Sequence, residues 1–307
     1  MTVLDNDYYS IMELRKLLDN KDVSARELVD DTFRKVRETD PKLNSFVLMT
    51  EELALRQATE ADERLASTGP VSVLDGIPLA VKDLYDTAGI TTAGGTAAFK
   101  DRIPDEDSVV INLLQQAGMI VVGKTNTHEL AMGMTTNNPH YGPTRNPWNL
   151  TRVPGGSSGG SGAAVAAGQV AAALGTDTGG SVRNPAAFCG ITGHKPTFGL
   201  VSTKGIIPLS KTLDHAGPMT RSAEECALML EWMLEPSKRV SFVDQLEDSI
   251  AGLRLAIIPS LLEGCQTGIL DSFENSLSVF RGLGVEITEF EPMPDYINMR
   301  GKLSPIA

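Results

Sequence analysis

Residues 154–183 run PGGSSGGSGAAVAAGQVAAALGTDTGGSVR: two glycine-serine clusters, around Ser157 and Ser181, separated by a segment made almost wholly of Ala, Gly and Val. Glycine is costly in backbone entropy, so a dense run implies unusual dihedrals or close approach of backbone to something else. Backbone N–H groups in such turns, followed by a helix start, cradle negative charge. Serines inside the cradle are candidate nucleophiles. A flexible Gly/Ser linker is the bland alternative, and it does not account for the Ala/Val stretch that the clusters enclose.

Working outward, Gly175 to Ser181 follows an apolar strand at Val170 to Leu174 and precedes a helix start. Ser181 there presents its hydroxyl beside several consecutive N–H groups. That suits an oxyanion, for which each donor lowers the barrier by about 3–4 kcal/mol; an ordinary N-cap is the alternative. A serine nucleophile also needs a base. The histidines, His128, His140, His194 and His215, are scattered without a partner pattern. Lysine serves if burial lowers its pKa until it is neutral at working pH. Lys82 closes the apolar run Ile77 to Val81 and fits that requirement, against the common reading of a snorkelling surface lysine. Ser157 is the hydroxyl able to relay the proton between them.

Composition narrows the function classes. A chain of 307 residues, 41% hydrophobic, holds a full core and reads as one large or two modest domains. Its net charge of -12 argues against direct nucleic-acid or anionic-membrane partners. Cys189, Cys226 and Cys265 are odd in number and lack CxxC spacing, which reads as a reduced, cytoplasmic protein. The start, MTVLDNDYYS, has no signal-peptide pattern, and the run Gly162 to Gly175 is too short and too rich in Ala and Gly to span a bilayer. No Walker pattern and no HExxH occur, so neither a phosphate nor a metal site has support, and no cofactor is expected.

Along the chain, capping boxes at Ser10/Glu13 and Ser24/Glu27 open amphipathic helices, the second expected to end at Asp40-Pro41. A third helix is expected from Glu51 to about Ala66. Residues 1–70 thus read as an N-terminal helical layer over a core at 71–307. Strand 77–82, helix 108–116 and strand 119–122 form a parallel crossover, hence an α/β protein with a mixed, mostly parallel central sheet flanked by helices. A short helix at 127–133 leads into a long proline-containing loop of the kind that tends to be functional. Helix 222–234, strand 253–259, helix 271–280 and strand 285–290 follow, and the tail from Met293 shows no terminating element.

These residues resemble the amidase signature family, whose hallmark is a Ser–cis-Ser–Lys triad. The resemblance rests on GGSSGGS at 155–161 and GGSVR at 179–183. The intervals of 75 residues from Lys82 to Ser157 and 24 from Ser157 to Ser181 match as well. GIPLAVKD, VVGKTNTHEL, GPTRNPWN, FCGITGHKPTFG and DHAGPMTRS agree too. It implies that Ser181 is the nucleophile, Ser157 the bridging serine on a cis peptide, and Lys82 the neutral general base. Backbone N–H groups of Thr178, Gly179, Gly180 and Ser181 would form the oxyanion hole. Apart from the resemblance, Asp177 and Arg183 read as an ion pair that braces that loop. The implied reaction is hydrolysis of a small-molecule carboxylic amide to acid and ammonia or amine through an acyl-serine, without cofactor or metal. A homodimer is left open as the only protein partner. Family members continue beyond this endpoint, so the resemblance also implies that a C-terminal part is missing.

Three rivals stand beside it. Gly156-x-Ser158-x-Gly160 and Gly155-x-Ser157-x-Gly159 fit the α/β-hydrolase elbow, but Asp214-His215 are too adjacent to complete its triad. Within the family, the glutaminase (A) subunit of a tRNA-dependent amidotransferase is the alternative; the stretch 135–142 looks more like free-standing amidases. The third is an inactive fragment that acts only by binding.

Overall fold

The computed structural model describes residues 8–246 and 248–290, which fall into two compact units dividing between Val243 and Asp244. In the larger unit the N-terminal helices follow their caps. Helix α1 (Ile11–Asp19) and α2 (Ala25–Leu43) each begin with a complete capping box, and both bury an apolar stripe that includes Ile11, Leu14, Val29 and Phe33. Helix α2 runs through Pro41 rather than stopping at it. In the last turn a proline forfeits only one intrahelical bond, and Pro41 lies on the exposed side. Termination comes instead from Asn44 at φ 53°, whose N–H donates to the Asp40 carbonyl.

Between α2 and α3 (Glu51–Ser67) lies a strand that periodicity did not reveal, β1 (Phe46–Met49). Only four residues long, it pairs antiparallel with β3 (Ile120–Thr125) at the sheet edge. Next to β3, and parallel to it, is β2 (Pro78–Lys82). Helix α4 (Val109–Gln116), capped by Ser108, makes the crossover between them, as the apolar pattern anticipated. The expected helix at 127–133 is a single 3₁₀ turn, Glu129–Ala131, with Leu130 and Ala131 at positive φ. A small antiparallel pair, β4 (Asn137–Asn138) and β5 (Gly142–Pro143), follows in the proline-rich loop.

The glycine-rich stretch becomes helix α5 (Gly159–Ala166), buried at every residue, and strand β6 (Ala172–Asp177), which begins two residues later than expected. Near-absence of side chains lets α5 sit hard against its neighbours. A Cβ on Gly160 would come within 2.5 Å of the Asn126 backbone. Helix α6 (Arg183–Cys189) starts two residues after Ser181, so Ser181 is not its cap. Strands β7 (Thr192–Gly193) and β8 (His215–Thr220) complete a mixed six-stranded sheet in the order β1-β3-β2-β6-β8-β7. The three central strands are parallel and β8 is antiparallel to β6. Helix α7 (Ala223–Met233) follows its Ser222/Glu225 box.

The smaller unit is a βαβ element. Strands β9 (Arg254–Ile257) and β10 (Glu286–Glu289) pair in parallel, connected through α8 (Thr267–Gly282), which starts four residues earlier than its sequence pattern suggested. The tail expected to lack a terminating element, from Met293, lies outside the described residues. Among the described residues no helix is long and apolar enough to cross a membrane. Cys189 and Cys226 are buried and Cys265 is exposed, all as free thiols.

Candidate active site

Three elements converge at the C-terminal ends of the parallel strands. Strand β2 ends on Lys82, its neighbour β6 ends on Thr176 and Asp177, and the turn into α5 carries Ser157 and Ser158. Lys82 is fully buried. Its Nζ lies 2.6 Å from Ser157 Oγ, 2.8 Å from Thr176 Oγ1 and 2.9 Å from Ser158 Oγ. No carboxylate among the described residues touches it. Burial pushes the ammonium down to about 7, with Asp177 and Asp214 pulling weakly the other way.

The partners' own bonds fix how the cluster is used. Ser158 Oγ donates to the Thr176 carbonyl at 3.2 Å, so towards Lys82 it accepts. A neutral amine has two N–H donors and one lone pair. With Ser158 accepting one N–H, the second N–H and the lone pair are divided between Thr176 and Ser157, the latter being the shortest of the three contacts. Ser158 and Thr176 are the members that sequence reasoning missed. Their signal was slight: one serine among three in its cluster, and one threonine inside an apolar strand.

The site needs its glycines. A Cβ on Gly175 would lie 2.7 Å from Met219 Sδ and 2.9 Å from Ser158 Oγ, and one on Gly156 would lie 2.7 Å from the Thr135 amide nitrogen. The Gly156–Ser157 peptide is cis. The Ser157 carbonyl accepts from the His128 amide at 3.1 Å and from Thr127 Oγ1 at 3.0 Å, while Asn184 Oδ1 accepts from the Gly156 amide at 3.0 Å.

Ser181 joins through its backbone: its carbonyl accepts from the Ser158 amide at 3.2 Å, and the residue is 7% exposed. Lys82 does not bond it. The loop that carries it is held by Asp177, whose buried carboxylate takes Arg183 Nη2 at 2.9 Å and Nε at 3.0 Å. Asp177 also accepts from the amides of Gly180, at 2.8 Å, and Val182, at 3.1 Å. Burial alone would raise this carboxyl, but Arg183 and the amides outweigh it and hold it below the usual range. Gly180 therefore spends its N–H on Asp177. The N–H groups of Thr178, Gly179 and Ser181 have no partner among the described residues. Beyond Gly179 the space is open, and the nearest atom to Gly180's Cβ direction is Met134 Cε, at 4.0 Å.

A second buried lysine, Lys124 on β3, bonds the Tyr85 carbonyl and the hydroxyls of Thr87 and Thr92, both at 3.0 Å. Burial lowers it to about 8, with Asp83 opposing. Tyr85 in turn donates its hydroxyl to the Gly175 carbonyl at 2.6 Å, so Lys124 fastens the loop after β2 to the strand that carries Thr176.

Comparison with known proteins identifies the family. The Amidase family model matches residues 27–299. The glutamyl-tRNA(Gln) amidotransferase (A) subunit of Thermoanaerobacter pseudethanolicus is 39% identical over 298 residues, covering 94% of this chain and 61% of its own length. Among solved structures, one described as a vestigial protein complex that reveals the origins of an s-triazine catabolic enzyme superposes with a TM-score of 0.89 at 36% identity. It covers 95% of this chain and 65% of its own. Peptide amidase from Stenotrophomonas maltophilia gives 0.87 at 28% identity, over 96% and 64%. The chain thus spans about three fifths of the length of the curated relatives it matches. With the mixed sheet, the two serine clusters and the family model in agreement, the chain belongs to the amidase family.

Proposed function

We propose that the chain hydrolyses the C–N bond of a carboxylic amide, giving an acid and ammonia or an amine through an acyl-Ser181 intermediate. The observation that carries this reading is the fully buried Lys82, lowered to about 7 and bonded to three hydroxyls. A base with that pKa is deprotonated in a large fraction at neutral pH, where its lone pair is useful. Ser181 attacks the amide carbonyl and passes its proton to Ser157, which passes its own to Lys82. The developing oxyanion takes the unpartnered N–H groups of Thr178, Gly179 and Ser181. The proton returns through Ser157 to the departing nitrogen, and water then cleaves the acyl-serine by the same route.

A second reading has its own support in the 39% identity to the glutamyl-tRNA(Gln) amidotransferase protein: glutamine as the amide, with ammonia handed to a partner. For location we keep a reducing cytoplasm, supported by the three free thiols.

Labelling with a serine-directed fluorophosphonate, mapped by mass spectrometry, tests the assignment. An adduct on Ser181 that is lost in Lys82→Ala is the expected result. An adduct on Ser158, or none on any serine, would reject it.

A further inference from the structure

Beside the cluster lies a cavity of about 470 Å3 that ends on Thr176 and Thr178. Thr176 holds Lys82 Nζ, and Thr178 supplies the first free N–H of the oxyanion stretch. The cavity thus shares two lining residues with the site, and its volume suits a small molecule. Its walls are apolar, formed by Leu84, Ala131, Ile206, Ile207 and Leu209.

Charge at the cavity is mainly positive, with two lysines against one carboxylate in its lining. Lys204 and Lys211 line it, both exposed, and neither has an acidic partner among the described residues. The one carboxylate in the lining, Asp214, keeps its charge but has its oxygens turned to donors of the protein itself. Thr178 Oγ1 donates to one oxygen, and the amides of Leu209 and Ser210 donate to the other at 2.9 and 3.0 Å. In a chain of net charge -12, two uncompensated lysines on one cavity are conspicuous. A positive rim on an apolar cavity raises the local concentration of an anionic ligand.

We propose that this cavity binds the body of the substrate and selects an anionic amide, with an apolar chain against Ile206 and Ile207 and a carboxylate facing Lys204 and Lys211. The inference rests on the amidase reading and names its substrate class.

Two readouts on the full chain separate it from that reading. Calorimetric titration with adipate, which cannot be hydrolysed, reads the cavity alone. Binding is expected at low salt, at least tenfold weaker in the Lys204→Ala/Lys211→Ala double variant and weaker in wild type as salt is added. No binding, or an unchanged affinity in the double variant, overturns the proposal. Turnover of adipamic acid should exceed that of hexanamide about tenfold in kcat/KM, with the preference lost in the double variant; equal turnover in wild type also overturns it. Fluorophosphonate labelling of Ser181, which involves no anionic chain, reports separately on whether the chain is an amidase.

Discussion

Lys82 shows how one residue can be legible in kind and illegible in detail. A lysine closing an apolar strand, with serine clusters downstream, was enough to nominate it as a base. What sequence could not show is that three hydroxyls, rather than a carboxylate, surround its nitrogen. Two of those hydroxyls, on Ser158 and Thr176, come from residues whose types are common on any surface; only the packing of α5 against β6 makes them ligands of the amine. The oxyanion stretch was legible to a similar degree. Its four residues stood out, but the diversion of Gly180 to Asp177 depends on a turn that no pattern encodes. The lysine's environment has a kinetic consequence. With the amine lowered to about 7, its neutral fraction grows as pH rises through that value. Amide turnover should climb about tenfold per pH unit below the midpoint and level off above it. A profile flat from pH 5 to 9 under chemistry-limited conditions would remove Lys82 as the base.

At the scale of elements, the starts of helices announced by capping boxes were readable to within a residue, because Ser-x-x-Glu is a local, sterically defined signal. Strand β1 was not: four residues at an edge carry no usable alternation, and its partner is more than seventy positions away. The boundary at Pro41 misled for a different reason, since a proline's cost depends on where in the helix it sits. Between α5 and β6 the deciding element contact is at Gly175. Replacing it by Ala places a methyl 2.7 Å from Met219 Sδ and 2.9 Å from Ser158 Oγ. Overpacking of that kind typically costs about 1–3 kcal/mol. Gly175→Ala should therefore lower the denaturation midpoint and, by displacing Ser158, reduce turnover further than the stability loss explains. Full activity in this variant would mean that the strand can yield there.

For the whole molecule, the class of fold followed from a parallel crossover early in the chain. The division after Val243 did not, because a βαβ pattern reads the same whether it extends one sheet or builds another. Burying an amine also couples stability to pH over the entire fold. Lys82 is about 7 when folded and near 10.5 when unfolded. Between those values the unfolded chain binds more protons, so stability rises with pH across the window; below 7 both states are charged and folding bears the full desolvation cost. Lys124 contributes in the same sense from about 8. Comparison with Lys82→Met cancels the Lys124 part. Urea unfolding of the two proteins from pH 6.5 to 10 should show wild type gaining on the variant as pH rises, and parallel curves would contradict the burial of a titrating amine.

The all-buried helix α5 has a consequence of another kind. From Gly159 to Ala166 no side chain is larger than that of Val165, and Gly160 has the Asn126 and Ser45 backbone pressed against it. Most substitutions there run towards greater bulk, and at Gly160 greater bulk meets the Asn126 backbone. The most monotonous passage of this sequence, the one a complexity filter would discard first, is for that reason the passage in which mutational drift has the least freedom.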